Sequence, residues 1–185
     1  QLGWAVTALL RGDVAQASGR LSRARELIGD RTVPARWYWA ETLVRTSSED
    51  ADGALEAARA GAAAHPRRAV LRNNLAVLLE LRGDASSAER ELQSGLEEDA
   101  TLPQLSKNMG DLLYRAGRYE EARDAYERAL RLAPALGDDL HFKLGNIAHR
   151  TRDAQKAREH WTRATELNPA HQLARANLEM LEAVR

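Results

Sequence analysis

Small residues recur down this chain at matched intervals. Ala17, Ala54, Ala88, Ala122 and Ala157 stand 37, 34, 34 and 35 residues apart. A second column, Ala24, Gly61, Gly95, Ala129 and Ala164, repeats the same intervals. A third, Pro66, Ala100, Pro134 and Pro169, follows at 34, 34 and 35. Columns that share one irregular set of intervals mark an internal repeat. A period of this length means copies of one supersecondary unit, stacked so that neighbours bury each other's apolar faces.

The unit is clearest in NMGDLLYRAGRYEEARDAYERALRLAP, from Asn108 to Pro134. Asn108–Ala116 reads as the end of a first helix, with Met109, Leu112 and Leu113 apolar. Gly117 supplies the left-handed residue that often follows a helix C-terminus. Tyr119–Leu132 reads as a second helix with Ala122, Ala125, Tyr126, Ala129 and Leu130 on one face. Pro134 cannot continue it, because it has no backbone donor and clashes with the preceding turn. The same turn is written Gly12-Asp13 and Gly83-Asp84, and as Arg152-Asp153 further on. A non-glycine residue is therefore expected in the left-handed position at Arg152. Strand signals are poor, while Ala, Leu, Glu and Arg are strong helix formers, so the chain reads as all-α.

These residues resemble the tetratricopeptide repeat, a unit of two antiparallel helices. In the stretch above, Met109-Gly110, Leu113, Ala122, Tyr126, Ala129 and Pro134 fill the family's pattern. In KLGNIAHRTRDAQKAREHWTRATELNP, Leu144-Gly145, Ala148, Ala157, Trp161, Ala164 and Pro169 do so. A looser match runs through Leu75-Ala76, Leu79, Ala88, Leu92 and Gly95. The resemblance implies a right-handed α-solenoid of about four and a half repeats with a capping helix. It also implies that the first helix of each pair lines a concave groove. Gly110, Ala122 and Ala129 are then small because helices cross there, with Tyr126, Leu92 and Trp161 filling the space beside each crossing.

The units are expected as a partial repeat at 1–31, a degenerate one at 35–68, repeats at 69–102, 103–136 and 138–171, and a capping helix at 172–185. The first unit's second helix is placed at roughly 14–28, and the chain is expected to begin within or at the edge of a repeat. The degenerate unit reads as carrying a lengthened turn around Ser47–Gly53. Gly137 is one inserted residue. Glu179, Glu182 and Arg185 are placed to give the capping helix its extra polar face.

Charge and composition exclude several functions. The 27 basic and 27 acidic residues balance, so the bulk electrostatic footprint of a nucleic-acid binder is absent and no such partner is expected. Three of the basic residues are lysine, a usage that suggests a GC-rich bacterial genome. Without cysteine there is no disulfide framework and no cysteine-based zinc site. No run of apolar residues is long enough for a transmembrane helix. No cofactor or metal motif is present. His141 and His149 lie eight apart on one helix, too far to share a metal directly. With no GxSxG, P-loop or dinucleotide glycine pattern, no catalytic residue is assigned. The charges of RYEEARDAYER fit helix-supporting pairs rather than acid–base pairs.

The groove that the resemblance implies would carry Asn73, Asn74 and Val77, then Lys107, Asn108 and Asp111, then Phe142, Lys143 and Asn146, and finally Asn177. An amide both donates and accepts, so a column of Asn can bond an extended peptide backbone whatever its sequence. The other reading is that these side chains pack polar atoms between neighbouring helices or face water. Lys107, Lys143 and Arg150 would favour an acidic segment or a C-terminal carboxylate. The chaperone-tail clamp known in some family members is disfavoured, since Asp111 stands where an Asn is needed and Leu173 and Asn177 occupy the closing helix. Trp37, Tyr38 and Trp39 point in three directions on a helix, with Trp37 expected in the core and Trp39 as a possible aromatic contact. The expected function is a non-catalytic scaffold for a partner protein or peptide segment. The alternative is a structural subunit that self-associates through its ends or convex face.

Overall fold

A computed structural model describes residues 2–183, so Arg185 lies outside the described residues. Eleven α-helices follow one another among the described residues, in adjacent antiparallel pairs. They are α1 (Leu2–Leu10), α2 (Val14–Ile28), α3 (Ala35–Ser47), α4 (Ala51–Ala64), α5 (Ala69–Leu81) and α6 (Ala85–Glu98). Then come α7 (Pro103–Arg115), α8 (Tyr119–Leu132), α9 (Gly137–Arg150), α10 (Ala154–Leu167) and α11 (Gln172–Ala183). A short 3-10 turn, Pro134–Leu136, precedes α9. The fold class is an all-α helical repeat.

Helices α1–α6 form one compact unit and α7–α11 another. In the first, α1 packs on α2, α3 on α4 and α5 on α6, while α3 also touches α1 and α5. Its core includes a cluster of Ala5, Ala8, Ala17, Leu21, Ala40 and Val44. In the second, α7 packs on α8, α9 on α10, and α10 on α11. Its core includes Ala148, Ala157, Trp161, Ala164 and Ala174.

The small-residue columns sit at the tightest crossings. Ala17, Ala122, Ala129, Ala157 and Ala164 are fully buried. A Cβ added to Gly110 would lie 2.6 Å from the Tyr126 ring, and one on Gly145 would meet the Trp161 indole. Tyr126 and Trp161 are therefore the large partners of small residues on the facing helix of the same pair.

Every pair turns through three residues with one backbone conformation. The middle residue has positive φ each time: Gly12 (77°), Glu49 (60°), Gly83 (80°), Gly117 (76°) and Arg152 (64°). Only glycine adopts this region without steric cost, so Arg152 and Glu49 are strained. The next residue caps the following helix. Asp13, Asp50, Asp84 and Asp153 accept from the backbone N–H three residues on, at 2.9–3.0 Å. In the α7–α8 turn Arg118 takes that place and pairs with Glu121 at 2.6 Å.

The structure corrects the expectation of a lengthened turn around Ser47–Gly53. That turn is the ordinary one, Ser48–Asp50, and Gly53 is buried inside α4 against Asp50 and Arg45. The three extra residues lie earlier. Helix α2 has 15 residues where the other second helices have 14, and the 29–34 link has six where the others have four. His65 ties down that link by bonding the Val33 carbonyl at 2.7 Å. The single extra residue near Gly137 is absorbed by α9, which has 14 residues where α7 has 13.

Candidate functional site

The second unit brings together several of the residues expected to line the groove. Asp111 on α7 is the hub. Its carboxylate accepts from Lys143 Nζ on α9 at 2.6 Å, from Lys107 Nζ one turn back at 3.0 Å, and from the Tyr126 hydroxyl at 2.7 Å. Burial pushes the Asp111 carboxyl up, but the bonds from Lys143, Tyr126 and Lys107 outweigh it and hold it below the usual carboxylate range. Burial, then the Asp111 charge, pushes the Tyr126 phenol far above its ordinary value, so it stays a donor. The Lys143 ammonium also lies 5.7 Å from the centre of the Tyr126 ring.

A second polar set follows. Asn146 on α9 accepts from the Trp161 indole N–H at 3.0 Å and from the Asn177 amide of α11 at 3.1 Å. Asp111–Lys143 and Asn146–Asn177 thus join α7 to α9 and α9 to α11. Asn108 also takes part in an interaction and is half-buried. Beside this row opens a cavity of about 230 Å³. Tyr114 and Phe142 give it apolar walls, and Asp111, Asp139, Lys143 and Asn146 give it polar ones.

The first unit holds the remaining candidates. Asn73 and Asn74 are half-buried on α5, and Asn73 has an interaction partner. Trp37 is half-buried, stacks edge-on against Tyr38 at 5.4 Å, and donates to the Leu21 carbonyl at 3.3 Å. Trp39 is equally half-buried, packs on the same core cluster and lines a separate cavity.

Sequence reasoning missed one pair. His141 on α9 and His160 on α10 face each other, with their Nδ1 atoms 3.0 Å apart. Burial lowers both their pKa values; His160 and Arg163 lower that of His141 further. The repeat offset between α9 and α10 carried the signal, since residues nineteen apart across that turn meet, as Phe142 and Trp161 also do.

Stacked helix pairs with small residues at each crossing and polar first-helix faces define the helical-repeat proteins. Residues 103–136 and 138–171 each match the model of the tetratricopeptide repeat family. Those two segments are tetratricopeptide repeats. Among solved structures, it is similar to YrrB, described as "a TPR protein with an unusual peptide-binding site", at 20% identity and TM-score 0.75, over 96% of this chain and 90% of that one. It is similar to PilF of Pseudomonas aeruginosa at 20% identity and TM-score 0.81, over 90% of this chain and 74% of that one. It is also similar to a crystal structure of the APC/C hetero-tetramer Cut9–Hcn1, at 18% identity and TM-score 0.84, spanning 97% of this chain but 35% of that one. At these identities the likeness is one of fold. No curated protein matches the chain in sequence.

Proposed function

We propose that the chain is a non-catalytic protein-interaction module, holding a partner segment against the polar faces of α7, α9 and α11. The observation that carries this reading is the bonded row of Lys107, Asp111, Lys143, Asn146 and Asn177 beside the 230 Å³ cavity. Mutual bonds fix these side chains before any partner arrives, which lowers the ordering cost of binding. Aromatic walls with a few fixed polar groups are what a binding pocket needs. Helical-repeat scaffolds of this family generally serve binding rather than catalysis, and YrrB, of similar fold, has a peptide-binding site. Asn73, Asn74 and Asn108 extend the proposed contact surface on their own helices, with Trp39 as an aromatic contact.

The bonding pattern bears on how the row acts. Asn146 accepts from Trp161 and Asn177, so it holds helices together as well as facing the cavity. The partner is accordingly expected to meet Tyr114, Phe142 and the charged edge rather than a continuous amide ladder. The test is recovery of a partner from native extract by wild-type chain and by a Phe142→Ala/Lys143→Ala variant with unchanged helical circular dichroism. Selective loss from the variant supports the site; equal recovery overturns it.

A second reading, assembly through the ends, is favoured by exposed apolar side chains. Leu173 and Met180 stand seven apart on α11, 63% and 43% exposed, and Trp4 and Leu10 are exposed on α1. Solution mass that rises with concentration supports assembly, and a constant monomer mass excludes it.

A further inference from the structure

In the first unit a cavity of about 410 Å³ opens beside the starts of α3 and α5. Pro34, Ala35, Trp39 and Val70 make its wall apolar. Trp39 is anchored from behind, because its inner side packs on the core cluster that contains Ala40 and Val44. Val70 is 42% exposed, an open branched apolar side chain on the first turn of a helix. The two remaining lining residues are Arg36 and Arg68.

Those arginines are the informative feature. Among the described residues, neither guanidinium has an ion-pair or hydrogen-bond partner, whereas Arg45, Arg72 and Arg82 of the same unit each pair with a carboxylate. No acidic residue lines the cavity. A rigid apolar wall is therefore edged by two uncompensated positive charges. A purely apolar occupant would desolvate the guanidiniums without a partner, and a cationic one would be repelled. A small inorganic anion would leave the Trp39 and Val70 surface unused. The chain's balanced net charge gives no wider positive field to hold a polyanion.

We propose that this cavity takes one apolar side chain of a partner protein, flanked in that protein by carboxylates that pair with Arg36 and Arg68. The apolar group rests on Trp39 and Val70, and the flanking acids set its direction. The inference rests on the chain being a protein-binding module, and it places specificity in the first unit, apart from the Asp111 row.

The test uses a short Gly/Ser peptide carrying Asp-Leu-Asp, followed through the Trp39 indole N–H resonance, which a Trp39→Phe variant assigns. The expected result is a saturable shift of that resonance. Binding should weaken by about ten-fold or more with Asn-Leu-Asn or Asp-Ser-Asp, and in an Arg36→Gln/Arg68→Gln variant. Both arginines lie at helix starts outside the core, so circular dichroism should match wild type. A Phe142→Ala/Lys143→Ala variant should bind the peptide as wild type does. That separates this site from the second unit's: loss of the native partner there with peptide binding intact leaves this proposal standing. An absent Trp39 shift, equal affinity for Asn-Leu-Asn, full affinity in the double arginine variant, or preferential binding of a short oligothymidylate would overturn it.

Discussion

At the scale of single residues, the strain in this chain sits in its turns. Arg152 was legible because it stands where Gly12, Gly83 and Gly117 stand, and its φ of 64° places it in the glycine region. Arg152→Gly relieves that strain but loosens the unfolded chain, so it should be neutral or stabilising by about 0.5 kcal/mol, read as a small rise in Tm. Glu49, at φ 60°, is the same case and was hidden. Gly53 nearby fell within the lengthened turn expected around Ser47–Gly53, yet it serves close packing inside α4. A glycine in sequence does not say whether it is wanted for its φ or for its missing Cβ. Ser106 shows a different cost. Its hydroxyl is fully buried on α7 and has no hydrogen-bond partner. Ser106→Ala removes the unsatisfied group with almost no change in volume and should stabilise by about 1 kcal/mol in a denaturant titration. Gly110→Leu, by contrast, drives a side chain into the Tyr126 ring and should cost about 1–3 kcal/mol or more.

At the scale of elements, the polar first-helix side chains lock neighbouring pairs together. Removing the Asp111 charge leaves the Lys107 and Lys143 ammoniums without their counter-charge in a half-buried place. Asp111→Asn should therefore destabilise by about 1–3 kcal/mol, measured by chemical denaturation. Its residue type was legible and its role was not, because three of the bonds that define the row cross between helices 15 to 32 residues apart. The histidine pair makes a pH prediction at the same scale. Folding holds His141 and His160 below their ordinary value of 6.5, so the unfolded chain binds more protons just below that pH. Their contribution is complete above 6.5 and is lost as pH falls through the lower folded values. Arg163 and Lys156 add to the depression, while Glu127 and Glu159 oppose it at His160. Tm should fall as the pH drops below 6.5, and a His141→Gln/His160→Gln variant should flatten that fall.

At the scale of the molecule, the repeat offsets legible in the alanine columns account for where each helix lies. Where the extra residues went was not legible, since a column interval gives their number and not their position. Each unit has its own core cluster, which predicts that residues 99–185 expressed alone keep helical circular dichroism and a cooperative melt. Loss of helix in that fragment would show that its repeats depend on the first unit. The scarcity of lysine has a practical consequence. The chain has three side-chain amines, and two of them, Lys107 and Lys143, hold Asp111. Lys156 is 65% exposed where Lys107 and Lys143 are 27% and 24%. Amine-reactive reagents should therefore modify Lys156 first and the other two slowly. A partner seated on the second unit would slow those two further and leave Lys156 unchanged, so peptide mass mapping of three acylation sites would report occupancy against an internal standard that the sequence already contains.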